Sequence, residues 1–108
     1  MDTSPAVELA DKIYTTDCKF RLACRQVVFL NHQISALKRR YKRAAKVQQK
    51  AFRCSLRLRM ATYEGVRNMI YEYASQRCKE IEQMQMQLMT QLAADDESNP
   101  QRDTDGQC

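Results

Sequence analysis

Between Asp17 and Ala94 the chain has no proline and a single glycine, Gly65. That scarcity constrains the fold more than any other feature. Sheets need frequent turns, and turns draw on Gly, Pro and Asn-Gly pairs. A β-sandwich, a barrel or a βαβ unit is excluded, as are the Gly-rich loops that cradle nucleotide phosphates. The expected class is all-α, built from long amphipathic helices. Wound as one helix, the 78 residues of 17–94 would reach about 117 Å.

Three stretches divide the chain. Ser4-Pro5 supplies a cap and a first-turn proline, so residues 1–16 are expected to carry a short helix. Thr15-Thr16-Asp17 is a second capping cluster where the chain would pause. Residues 17–94 form the long helical region. Residues 95–108 hold no large apolar side chain and read as a disordered acidic tail. The Met1–Pro5 start has neither the basic residues nor the apolar run of a signal peptide, and no run of about 20 apolar residues suits a membrane span. An intracellular setting is expected, with Cys18, Cys24, Cys54, Cys78 and Cys108 as reduced thiols rather than a disulfide framework.

Projected at about 100° per residue, Ala23, Val27, Leu30, Ile34, Leu37, Tyr41, Ala44, Ala45, Gln48 and Phe52 fall on one line. Tyr63, Val66, Ile70, Tyr73, Ile81, Met84 and Leu88 continue it. The period reads closer to 3.6 than to 3.5, favouring packed straight helices over a tightly supercoiled zipper. Arg59 and Arg77 interrupt the line, which weakens through Ser55, Leu56 and Met60. Two architectures remain open. A break in 60–65 would make a helical hairpin; without it the chain is an extended helix in a coiled-coil-like oligomer. A lone amphipathic helix cannot bury its stripe, so Leu30, Ile34, Leu37, Tyr41, Val66, Ile70, Tyr73, Ile81, Met84 and Leu88 are expected to meet a protein partner or a second copy.

Charge is distributed unevenly. The net +5 conceals ten cations and no acid in residues 36–59. Arg39, Arg43, Lys46, Lys50, Arg53 and Arg57 project opposite the apolar line, giving one straight cationic face. The i,i+4 pairs Lys38/Lys42, Arg39/Arg43, Lys42/Lys46, Lys46/Lys50 and Arg53/Arg57 together cost about 1–2.5 kcal/mol in an isolated helix. An anionic partner would remove that penalty. Nucleic acid is the leading reading, bound mainly through phosphates. An acidic protein surface met by a cytoskeletal or centrosomal adaptor comes second, and an amphipathic membrane-surface helix third. Lys38, Arg39, Arg40, Lys42 and Arg43 also resemble a nuclear localisation signal, placing the chain in the nucleus or otherwise the cytoplasm. A basic helix running into an amphipathic one is loosely similar to a basic leucine zipper. The Asn-x-x-Ala-Ala pattern and the leucine heptad are missing, so no family is assigned.

Candidate chemistry is sparse. His32 is the one histidine; Cys18 and Cys24 lack zinc-ligand spacing. No thiol stands four residues from His32, so a Cys–His nucleophile pair cannot form on one helix. Neither an enzyme, a cofactor, a metal nor a small-molecule substrate is expected. The Met-rich segment 80–89 reads as helix packing or a second docking face.

Overall fold

The computed structural model describes residues 4–47 and 49–97. It contains two helices, α1 (Pro5–Lys46) and α2 (Lys50–Glu97), folded against each other as an antiparallel hairpin. No strand occurs among the described residues. The arms should be about 63 and 72 Å long at about 1.5 Å per residue, in keeping with overall dimensions of 79 × 28 × 19 Å.

Helix α1 starts as its sequence suggests. Ser4 is extended (φ −66°, ψ 150°), and its Oγ accepts a hydrogen bond from the Val7 amide at 3.2 Å. Pro5 follows in the first turn, where its missing N–H has no intrahelical partner to lose. The helix then runs through the second capping cluster without a pause. Thr15 donates its hydroxyl back to the Asp11 carbonyl at 3.0 Å, and Asp17 pairs with Arg21 at 3.0 Å. Both side chains are satisfied inside the helix, so residues 5–16 of the separate segment expected at 1–16 are instead the opening turns of α1; residues 1–3 lie outside the described residues. Residues 95–97 likewise belong to α2; the rest of the expected acidic tail, 98–108, lies outside the described residues.

The break falls at 47–49, not at 60–65. Val47 leaves the helix at φ −101°, ψ 10°. The Gln49 amide bonds back to the Ala44 carbonyl at 3.2 Å, and the Gln49 carbonyl accepts from the Arg53 amide at 2.9 Å to open α2. Neither Gly nor Pro is used. Two effects favour this place. Arms of 42 and 48 residues match nearly end to end, whereas a turn after 60 would leave part of a longer arm's apolar seam with nothing to cover it. The turn also takes Lys46 and Lys50 off a common helix, so their repulsion is no longer imposed by i,i+4 helical spacing. Gly65 sits inside α2, with open space where a Cβ would stand.

The contact seam shows the period. Along α1 the less exposed positions Ala23, Val27, Leu30, Ile34, Leu37, Tyr41 and Ala44 step by four and three residues in alternation. Along α2 the same rhythm runs through Arg53, Leu56, Met60, Tyr63, Arg67, Ile70, Ala74, Arg77, Ile81, Met84 and Leu88. This is a 3.5-residue repeat, the spacing of a coiled-coil seam, and it corrects the straight-helix 3.6 reading. A cluster of Leu37, Ala44 and Leu56, flanked by Tyr41, Met60 and Tyr63, closes the turn end. Leu56 is fully buried (0% exposed).

Because the turn resets the helical phase, a projection carried through it misplaces α2. Leu56 and Ala74, off the expected line, are its buried residues. Val66 and Tyr73, on that line, stand on the flank at 41% and 42% exposure. Leu30, Ile34 and Leu37 are buried within the hairpin, with Tyr41, Ile70, Ile81, Met84 and Leu88 half-buried along the same seam. The stripe's partner is therefore largely the chain's own other arm.

Candidate anion-binding end of the hairpin

The ten cations of residues 36–59 surround the turn, six at the end of α1 and four at the start of α2. The single straight face of the sequence projection is folded in two. Arg39, Arg43 and Lys46 lie exposed on α1; Lys50 and Arg57 lie exposed on α2. Arg53 departs from that face. It occupies the seam, half-buried, and its Nε is buried without a hydrogen-bond partner.

Contacts between the arms hold several of these side chains in place. Arg57 Nη2 donates to the Tyr41 hydroxyl at 3.1 Å while its guanidinium lies 5.8 Å from the same ring. Arg40 lies over Phe52 at 5.7 Å. Both pairs couple a cation on one arm to a ring on the other, an arrangement that stabilises an arginine without neutralising it. Arg40, Arg43, Ala44, Val47, Gln49 and Phe52 line a shallow pocket of about 290 Å³ beside the turn.

Helix dipoles act differently on the two arms. Arg43 and Lys46 sit in the last turn of α1, at the negative end of its dipole, where cations are favoured. Helix α2 has no acidic residue in its first turn and begins instead with Lys50 and Arg53. Its positive end adds to the surrounding cationic field. At the hairpin end the two helix dipoles oppose each other, so the cationic field comes from the side chains, with no carboxylate from residues 36–59 to offset it.

The localisation-type segment Lys38–Arg43 is helical throughout. Cys18, Cys54 and His32 are exposed, with Cys24 and Cys78 half-buried. Among the described residues no three His, Cys, Asp or Glu side chains gather as a metal-sized group, and no helix is long and apolar enough to cross a membrane. In the methionine segment, Met84 joins the seam, whereas Met86 and Met89 face solvent. No protein-family model matches the chain, and no curated protein or solved structure matches it either.

Proposed function

We propose that this chain is a non-enzymatic helical interaction protein whose turn end binds an anionic partner, nucleic acid before others. The supporting observation is the convergence of ten cations and no acid around one turn. Folding brings Arg39, Arg43 and Lys46 on one arm beside Lys50 and Arg57 on the other. The repulsion among them is relieved when a polyanion enters the field and its counterions are released.

Geometry shapes the mode of binding. Two helices packed side by side, each about 10–12 Å across, present an end about 20 Å wide. The major groove is about 12 Å wide. The pair fits astride a phosphate backbone rather than inside the groove, so contacts fall on phosphates and little base reading is expected. Residence in the nucleus suits this reading.

Titration against duplex DNA at two salt concentrations tests it. With about six phosphates neutralised, a slope of about −5.4 in log K against log salt is expected, so doubling the salt weakens binding about 40-fold. The triple variant Arg39→Glu/Lys46→Glu/Lys50→Glu should lose binding while keeping its helicity. If that variant binds DNA as tightly as the unaltered chain, the assignment to this surface is wrong. Parallel arms with microtubules and anionic liposomes separate the readings. Salt-sensitive binding to one of those, with none to DNA, would replace nucleic acid by an acidic protein surface or a lipid headgroup.

A further inference from the structure

The hairpin carries an apolar groove midway along one flank. Phe20, Cys24, Val28, Tyr71, Ala74 and Cys78 are among its lining residues, and it encloses about 410 Å³. No charged residue lines it, whereas Lys19 enters the groove of the opposite flank. Val28 and Tyr71 remain 55% and 65% exposed.

Its position along the rod is informative. The midpoint of α1 lies between Arg25 and Gln26, and that of α2 between Tyr73 and Ala74. The groove is centred on both. A two-fold axis relating two fully overlapped antiparallel rods must pass through their common midpoint, and an isologous contact needs a self-complementary patch there.

Charge selects the direction of pairing. The turn end holds ten cations and no acid in residues 36–59. The opposite end, residues 4–20 and 78–96, holds seven acids and three bases, net −4. Side-by-side pairing in the same direction would set +10 against +10. Antiparallel pairing sets each +10 beside a −4 and leaves +6 at both ends. The area suffices: a contact strip about 63 Å long and one helix diameter (10–12 Å) wide covers about 600–750 Å² per copy, near the roughly 800 Å² per partner of a stable interface.

We infer that the occupant of this groove is a second copy of the chain, docked antiparallel through the Phe20/Cys24/Val28 and Tyr71/Ala74/Cys78 flank to form a four-helix assembly. The inference stands apart from the proposed nucleic-acid binding, since it concerns a different surface and needs no ligand. A dimer would carry one cationic turn at each end, about 60 Å apart.

Sedimentation of the full chain at tens of micromolar, with zero-length carbodiimide crosslinking of mixed isotopically light and heavy protein, tests it. Lys46 and Glu8 lie 38 residues apart on one helix, about 57 Å at 1.5 Å per residue, so a crosslink between them can only join two copies. A dimeric mass and light–heavy crosslinks from Lys46 or Lys50 to Glu8 or Asp11 are expected. Val28→Glu/Tyr71→Glu should sediment as a helical monomer, while Met69→Glu on the opposite flank should remain dimeric. A monomeric unaltered chain overturns the inference, as does a dimer lacking those crosslinks. So does dissociation by Met69→Glu with the Val28/Tyr71 variant still dimeric.

Discussion

Leu56 shows how much a single side chain can carry in so slender a molecule. It is the fully buried large residue at the turn end, enclosed by Leu37, Ala44, Tyr41, Met60 and Tyr63. Two helices have little room to collapse around a deletion there. Leu56→Ala should cost about 2–4 kcal/mol, whereas Leu58→Ala, at a site 70% exposed, should fall within about 0.5 kcal/mol of the unaltered chain. Urea melts followed by circular dichroism would separate the two. Gly65 offers the opposite sign. It lies within α2 with nothing near its missing Cβ, so Gly65→Ala should raise stability by about 0.5–1 kcal/mol. Sequence patterning undervalued Leu56, because a single projection from α1 placed it off the apolar line. Phasing residues 50–97 by themselves would have put Leu56, Met60, Tyr63, Ile70 and Ala74 on a common face.

The seam of α2 also contains Arg53, Arg67 and Arg77, and each meets burial differently. Arg67 reaches across to Asn31 at 3.1 Å. Arg77 stacks 4.7 Å over Tyr73 and bonds Glu80 at 2.7 Å. Arg53 has no such bond among the described residues, and both it and Arg77 keep a buried Nε without a hydrogen-bond partner. Polar residues in such a seam fix register at some cost in stability.

At the scale of elements, the two helix starts contrast. Helix α1 has Ser4, Pro5 and Glu8 in the positions that favour initiation, and all three could be read from the chain. Helix α2 has Lys50 and Arg53 where acids are favoured. Lys50→Glu should therefore stabilise the fold by about 0.5 kcal/mol through the helix dipole, seen as a higher unfolding midpoint, while weakening binding of duplex DNA. A variant that loses stability and keeps its affinity would count against both the dipole argument and the binding surface. The turn itself was not legible. Val47-Gln48-Gln49 contains no turn former, and what favours it is the match of two arm lengths, a property of residues far from the turn.

The whole molecule is a long rod with opposite charge at its ends. Four i,i+4 like-charge pairs persist around the turn after folding, worth about 1–2 kcal/mol of repulsion at low salt. Raising the salt from about 10 mM to 0.5 M shortens the screening length from about 30 Å to a few ångström. The unfolding midpoint should rise accordingly, by about 5–10 °C for a chain of this size. A midpoint that falls or stays level with added salt would mean the cations are already neutralised within the fold. The ten cations were countable in the sequence, but their shape was not. One extended face became a two-armed cap once the chain reversed at 47–49, and Arg53 moved from that face into the seam.

The sequence alone determined the helical class, the start of α1, the cationic segment and an apolar stripe in need of cover. Those are local properties, set by backbone propensity, capping chemistry and side-chain spacing along one helix. Tertiary structure decided where the chain turns, that the stripe is covered from within, and that the seam repeats every 3.5 residues. It also decided which cations stand together. The physical reason is that a turn without a turn-forming residue is chosen by the burial it permits elsewhere. Burial between two arms depends on their relative length and phase, which no single stretch of sequence contains.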